Sequence, residues 1–481
     1  MMDFLLHNTA TGGRERIHAS DGESVRFYCC GPTVYGPAHI GNFRTFLVQD
    51  LFRRVCEGTG LAVRHVRNVT DVDDKTIRES AARGETLGDF TARWRARFEE
   101  DCRRLNLLPP HHSPSAVDHI AEQIDLIRRL EANGHAYRAA DGSVYFRVDS
   151  FEAYGRLAHI DRRSQRENAG GRRNADDEYS KDDVADFVLW KARKPEDGDN
   201  HWDSPWGPGR PGWHIECSAM SMGYLGESFD VHGGGVDLTF PHHENEIAQS
   251  ECATGKPFVR HWFHSAHLLV EGRKMSKSLG NLYTLDDLVE QGYHPAEVRW
   301  ALLSGHYRKT LNFGFDSLRA ARLAMERLLR VMEAVGGPEA GTGERDGAHA
   351  GALERASPEF LPVWEGLLND LNVPRAIGAL MKEVGRIEKG GAPQDAARWA
   401  ASLREVLAVL GIDWRAWAAG RVPREEEEDA APEAVRKLAS ERWEARAARD
   451  FATADRLRGE IEAAGWQVRD APDGFELTRK G

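Results

Sequence analysis

Val25-Arg26-Phe27-Tyr28-Cys29-Cys30, followed by Gly31-Pro32, is the stretch on which the fold turns. It is mostly apolar and aromatic, so it reads as a buried strand, and Gly-Pro ends it. From Asn42 onward Phe43, Phe46, Leu47, Leu51 and Val55 recur at helical spacing, and Gly58 and Gly60 stop the helix. Leu61-Ala62-Val63-Arg64-His65-Val66 is then a second strand. Strand, helix and strand within about forty residues predict a right-handed βαβ unit of an open parallel sheet. The expected fold class is α/β, with a Rossmann-like sheet at its centre.

Outward from that unit the text changes character. Pro109 to Pro205 carries two-helix patterning around Val117–Leu130, a hairpin at Ser143-Val144-Tyr145-Phe146 and a polar run, Asp161–Asp183. It reads as a subdomain (113–204) inserted between two halves of the sheet domain (1–112 and 205–265). From Gly212 to about Leu269, Phe229-Asp230-Val231-His232 and His267-Leu268-Leu269-Val270 look like strands. Residues 266–317 follow as a loop-bearing region. Leu318, Ala321, Met325, Leu328 and Met332 then open a helical bundle, 318–419. Within it lie the glycine-rich Gly336–Ser357 and helical segments at Phe360–Ile387 and Ala397–Leu410. A linker containing Glu425–Glu428 leads to a small mixed domain, 434–481, with two helices and a short β-like tail. Spacing alone also permits these helices to be a mere stabilising bundle.

A chain of 481 residues suits about three domains. Hydrophobic residues at 41% and charged residues at 29% exclude a disordered, collagen-like or disulfide-framework protein. No apolar run approaches the roughly 18–20 residues that span a bilayer, and Met1–His7 is too short and polar for a signal peptide. The net charge of −12 argues against a general nucleic-acid coat but leaves room for a local basic groove. The six cysteines, at 29, 30, 56, 102, 217 and 252, are scattered. A reduced, cytoplasmic chain is expected, in which any special cysteine is a ligand or nucleophile.

Pro37-Ala38-His39-Ile40-Gly41-Asn42 leads from the first strand into the helix. A helix N-terminus at the carboxyl edge of an open sheet offers unpaired N–H groups and a positive dipole end to a phosphate. His39 and Asn42 supply donors there, and Gly41 lets a nucleotide approach the backbone. So short a motif also arises by chance. Lys274-Met275-Ser276-Lys277-Ser278 suits a mobile loop that grips polyphosphate, or a solvated basic turn. Both signals in this order are far more specific than either alone.

In His242-His243-Glu244-Asn245-Glu246, a helix would place His242 and Glu246 on one face, able to clasp a divalent ion. A surface helix start with acidic residues near the dipole fits equally. Cys30 and Cys217 shift the balance: two thiolates, an imidazole and a carboxylate make a tetrahedral zinc set. Their distance in sequence leaves both also readable as small buried residues, the reading kept for Cys29, Cys56, Cys102 and Cys252.

Pro37–Asn42 and Lys274–Ser278 resemble the two signatures of class I aminoacyl-tRNA synthetases. Cys30-Gly31-Pro32-Thr33-Val34-Tyr35, Asn68–Lys75, Gly212–Met220 and Phe240–Glu246 together resemble the cysteinyl-tRNA synthetases, and the likeness runs over essentially the whole chain. It includes the tail pattern Arg442, Ala445-Arg446, Asp450-Phe451, Ala454-Asp455, Leu457-Arg458 and Gly465. The resemblance implies one zinc ion held by Cys30, Cys217, His242 and Glu246. It implies catalytic work by His39, Asn42, Lys274 and Lys277, and ATP contacts at His39, Gly41, Asn42, Asp237 and Lys277. Trp213 and Thr70 would line the substrate pocket. Asn42 departs from the general class I pattern, which has histidine there, and Asp161–Asp183 follows no pattern of the family. A core role for Trp213 and a plain loop at Asp237 remain open. So does a salt-bridged surface for Arg442, Arg446, Arg449, Arg456 and Arg458, the residues that the likeness would place against an anticodon.

The implied partners are tRNA(Cys), L-cysteine and ATP with Mg²⁺, with no membrane, and the chain is expected to be a monomer. The implied reaction makes cysteinyl-adenylate and then passes cysteine to the terminal ribose. The attacking carboxylate has a free pKa of about 3.5, so no protein nucleophile is required. An apolar pocket separates near-isosteres such as serine and cysteine by about 10²-fold, whereas thiolate-bound zinc favours sulfur. Two rivals stand beside this. A mycothiol-pathway ligase would join cysteine to an amino sugar and would not need residues 434–481. A non-catalytic tRNA-binding protein would not need both signatures.

Overall fold

The computed structural model describes residues 2–160, 173–174, 185–275, 279–335, 349–420, 433–448, 450–471 and 474–479. They divide into two units, Met1–Gly420 and Arg421–Gly481.

The larger unit opens with an antiparallel hairpin, β1 (Leu5–His7) and β2 (Arg14–Arg16). β3 (Val25–Cys29) pairs in parallel with β4 (Val63–Arg67), Val25 opposite Val63 and Cys29 opposite Arg67. Between them runs α1 (Ile40–Gly58), started by a capping box between His39 and Asn42. Phe43, Leu47, Leu51 and Val55 are buried, and so are Arg44, Asp50 and Arg54 on its other faces. At about 1.5–3 kcal/mol per fully buried Phe, Leu or Val, packing rather than propensity holds this helix. α2 (Asp74–Arg83) and α3 (Leu87–Arg104) follow.

The inserted segment has a 3-10 turn, Val117–His119, and one helix, α4 (Ile120–Ala132), where the spacing predicted two helices. His119 interrupts the pattern: its ring is engaged by Ser115 O at 2.7 Å and the Tyr224 hydroxyl at 3.1 Å. The hairpin β5 (Ala136–Arg138) and β6 (Val144–Phe146) joins β7 (Arg173–Asn174), β8 (Asp186–Ala192) and β9 (Gly209–Pro211) in a five-stranded sheet. All of the polar run Asp161–Asp183 except residues 173–174 lies outside the described residues.

α5 (Trp213–Leu225), β10 (Phe229–Gly235), α6 (His242–Thr254) and β11 (Val259–Ser265) complete the parallel sheet, whose order is β11-β10-β3-β4. β11 was not foreseen, because Arg260, His261 and His264 make it look polar, yet both histidines are buried. The strand read at His267–Val270 is instead β12 (Leu268–Val270). It leaves the main sheet and pairs with β13 (Arg273–Lys274) and β14 (Leu311–Phe313).

Helices α7 (Leu285–Glu290), α8 (Pro295–Leu303), α9 (Phe315–Ala334), α10 (Ala352–Arg355), α11 (Leu361–Leu368), α12 (Val373–Glu388), α13 (Ala396–Val409) and α14 (Trp414–Gly420) follow. The helical segment expected over Phe360–Ile387 is broken at Asp370 and Leu371, whose φ angles are +65° and +47°. Long-range bonds override the pattern there. Buried Asp370 accepts from the Tyr307 hydroxyl at 2.7 Å, Arg308 Nε at 2.8 Å and His7 N at 3.0 Å. One apolar core runs from Phe27 and Phe52 through Trp300 and Trp364 to Trp399.

An ionic hub crosses that core. Asp50 accepts from Arg54 Nε at 2.8 Å, from Leu108 N at 2.8 Å and from Arg299. Arg54 also donates to Ala408 O and Asn106 O, and Arg299 to Leu410 O, Leu105 O and Asn106 O. These carbonyls stand at the C-terminal ends of α3 and α13, where cations are favoured.

The smaller unit packs α15 (Glu433–Ala447) and α16 (Phe451–Ala463) on the hairpin β15 (Trp466–Ala471) and β16 (Gly474–Arg479), around Val435, Ala439, Ile461, Trp466 and Val468. Arg442 is buried, so it does not belong to an exposed phosphate-binding face. Arg456 and Arg458 pair with Glu460 and Glu462, and Arg449 lies outside the described residues. Among the described residues no helix is long and apolar enough to cross a membrane.

Candidate metal centre and nucleotide cleft

The sheet order reverses between β3 and β10, the place where open α/β sheets bind ligands. Cys30 directly follows β3. Cys217 lies in α5, and α6 begins at His242, so Glu246 falls one turn later on the same face. One ligand atom from each of Cys30, Cys217, His242 and Glu246 lies within 4.8 Å of the others, and all four residues are buried.

The spacings are those of a coordination sphere. Cys217 Sγ is 3.9 Å from Cys30 Sγ, Cys30 Sγ is 3.8 Å from Glu246 Oε1, and His242 Nε2 is 3.1 Å from the same oxygen. Zinc–sulfur bonds of about 2.3 Å and zinc–nitrogen bonds of about 2.0–2.1 Å put tetrahedral sulfurs about 3.8 Å apart and nitrogen and oxygen about 3.4 Å apart. His242 Nε2 is buried without a hydrogen bond, a condition that costs about 1–3 kcal/mol and that a cation would relieve. The residues therefore fit zinc. Burial draws the His242 pKa down to about 3, so the imidazole is neutral with a lone pair to give. Burial, reinforced by the neighbouring Cys217, pushes the Cys30 thiol up, so metal entry must release a proton.

A ring of partners orients the four. His242 Nδ1 is 2.9 Å from His214 Nδ1, and His232 Nε2 is 2.9 Å from Glu246 Oε2. His243 Nε2 lies 3.3 Å from Cys30 Sγ, and its Nδ1 lies 2.8 Å from His264 Nε2. His264 Nδ1 in turn meets Thr9 Oγ1 at 2.8 Å. A Cβ on Gly234 would fall 2.6 Å from the His243 ring, so that glycine serves the histidine's approach.

At the start of α1, Asn42 N donates to His39 Nδ1 at 3.3 Å, and His39 N donates to Asn42 Oδ1 at 3.1 Å. This assigns the imidazole proton to Nε2 and leaves the Asn42 amide NH₂ free of the cap. Both therefore keep a donor, and burial lowers the His39 pKa, favouring the neutral ring. Lys274 ends β13 with an exposed side chain, and Lys277 lies outside the described residues. Asp237 is exposed just beyond β10. The Trp213 ring stacks on His242, centroids 4.2 Å apart. Thr70 donates to Glu216 Oε2 at 2.9 Å and accepts from Asn68 Nδ2 at 3.4 Å, while Asn68 Oδ1 lies 3.8 Å from Cys217 Sγ. A cleft of about 300 Å³ near Glu15, Asp230 and His261, at the amino ends of β10 and β11, involves none of the predicted site residues.

Residues 16–323 match the family described as "tRNA synthetases class I (C) catalytic domain". The cysteine–tRNA ligase of Opitutus terrae is 52% identical over 99% of this chain and 99% of its own. That of Brachyspira hyodysenteriae is 40% identical over 100% of both. The chain belongs to the cysteine–tRNA ligase family. Among solved structures, the Mycobacterium tuberculosis methionyl-tRNA synthetase in complex with methionyl-adenylate shares the fold. Its TM-score is 0.57 at 16% identity, covering 83% of this chain and 94% of that one.

Sequence reasoning missed part of this ligase's site: His214, Glu216, His232, His243 and His264. One signal was legible, since His232 is a polar residue on a strand, Phe229–Gly235, that the sequence places in the sheet interior. The others become partners only when α5, α6 and β11 pack together.

Proposed function

We propose that this cysteine–tRNA ligase activates L-cysteine with ATP and Mg²⁺ to cysteinyl-adenylate and transfers the cysteinyl group to the terminal ribose of tRNA(Cys), releasing pyrophosphate and AMP. The convergence of Cys30, Cys217, His242 and Glu246 into one buried donor set with two soft thiols carries this reading. Zinc bound there supplies a soft Lewis acid that prefers a thiolate to a hydroxyl. Trp213, stacked on His242, walls the side-chain pocket. Thr70 spends its proton on Glu216, so its oxygen faces the substrate ammonium as an acceptor. The substrate carboxylate, with a free pKa of about 3.5, is already the nucleophile, and the protein's task is alignment and charge stabilisation. His39 and Asn42 donate to phosphate oxygens from the positive end of α1, and Lys274 and Lys277 neutralise charge on the departing pyrophosphate.

The test is cysteine-dependent exchange of pyrophosphate into ATP, with serine as the control. Exchange with cysteine alone is expected, and exchange that serine supports equally well overturns the reading. Offering tRNA and an amino sugar as acceptors then separates the tRNA ligase from the amino-sugar ligase. In the cobalt-substituted protein cysteine should change the visible spectrum. An unchanged spectrum would mean a closed, purely structural site.

A further inference from the structure

Arg44 lies within α1 with 1% of its surface exposed. Its hydrogen bonds go to main-chain carbonyls: Nη1 donates to His267 O at 2.6 Å, and Nη2 to Lys309 O at 2.6 Å and His306 O at 3.3 Å. Its Nε finds no acceptor, and burial lowers its pKa to about 10. Burying a guanidinium against neutral carbonyls is costly, and a methionine would fill the volume without that cost.

The three carbonyls share a destination. His267 precedes β12, which turns through β13 to Lys274. His306 and Lys309 precede β14, which pairs in parallel with β12, Leu268 opposite Leu311. Tyr283 and Thr284 are also fastened to α1. Ile40 N donates to Tyr283 O at 2.9 Å, and His39 forms a β-bridge with Thr284. A Cβ on Gly41 would come within 2.2 Å of Met275 Cε. Lys274 thus stands on strands held by Arg44, while Tyr283 and Thr284 meet the first residues of the same helix.

We infer that Arg44 is a positioning residue: its fork holds β12 and β14 against α1 and so sets where Lys274 meets the phosphates presented to His39 and Asn42. The inference rests on the adenylate-forming reading above. It assigns Arg44 to the ATP half of the site and not to the cysteine half. Lysine cannot replace it fully, because one ammonium on a flexible stem does not reproduce a rigid fork across three carbonyls.

The test uses the full-length chain with R44K and R44M. Pyrophosphate exchange is followed over ATP and cysteine concentrations, and cysteine affinity is measured by equilibrium dialysis without ATP. The exchange kcat should fall about 10- to 100-fold in R44M with a raised KM for ATP, and R44K should fall between R44M and the unaltered chain. Cysteine affinity should stay within about two-fold of the unaltered chain. Unchanged exchange overturns the role, and so does a joint decline of the cysteine and ATP parameters. Failure of both variants to fold also overturns it, since Arg44 would then be holding the core. An unaltered chain that shows no exchange sinks the adenylate reading itself. Normal exchange in that chain with unaffected variants sinks only the assignment of Arg44.

Discussion

Two of the buried polar clusters in the larger unit are built on opposite rules. In the hub every nitrogen and oxygen of Asp50, Arg54 and Arg299 has a partner, and the charges balance with help from two helix ends. Burial alone would raise the Asp50 pKa, but Arg54 and Arg299 hold it well below the usual carboxylate range. Around Cys30 and Cys217, by contrast, His242 Nε2, His232 Nδ1 and Glu216 Oε1 are buried without hydrogen bonds. A folded chain satisfies its buried polar atoms where only stability is at stake. Where it leaves several unsatisfied together, it has kept binding capacity for something else.

That contrast can be broken experimentally. The largest effect belongs to the hub: R299M strips Asp50 of a charged partner and should cost about 3–5 kcal/mol of folding stability in chemical denaturation. Cysteine affinity of the folded fraction should be unaltered; a matching loss of affinity would erase the distinction. C217S should do the reverse, weakening cysteine binding about 100-fold, equivalent to about 2.7 kcal/mol, while ATP affinity and the melting temperature move little. Equal loss of cysteine and ATP binding in titration calorimetry would count against a thiol-reading site. T70V removes the hydroxyl that meets Glu216 and should cost about 1–3 kcal/mol of stability together with weaker cysteine binding; unchanged cysteine titrations would take Thr70 out of the pocket.

Acid provides the finest discrimination. Burial lowers the pKa of His264 to about 3 and that of His261 to about 4. Both stay neutral in the fold but protonate in the unfolded chain from about pH 6.5 downward, so the unfolded state binds more protons and stability is lost as the pH falls. Between pH 6.5 and 4 the loss should approach about 1.4 kcal/mol per pH unit for each histidine. Asp50 is ionised in both states over the upper part of that window, so the hub should be silent there. Denaturation curves at pH 7 and 5.5, with H264N as the comparison, measure the slope.

Much of the catalytic half was legible because its chemistry is compressed into short strings. His242 and Glu246 declare themselves by their spacing, and the strand–helix–strand unit declares itself by periodicity. What escaped depended on distance in the chain. Nothing near Asp370 announces that Tyr307, Arg308 and His7 will break a helix there. Nothing in Val259–Ser265 shows that its histidines will face the interior. Arg442 looked like one of several surface arginines because the sequence does not say which face of α15 meets Trp466 and its neighbours.

The amino-terminal hairpin carries a practical consequence. Asn8 Oδ1 accepts from Trp262 N at 3.1 Å, Thr9 N donates to Trp262 O at 2.7 Å, and the Thr9 hydroxyl meets His264. Because His264 touches His243 and His243 touches Cys30, the ninth residue of the chain is only a few contacts removed from the proposed metal centre. Trimming the leading residues, or splicing a fusion partner tightly onto them, would disturb substrate choice. Affinity handles and fluorescent reporters belong at the other end of the polypeptide.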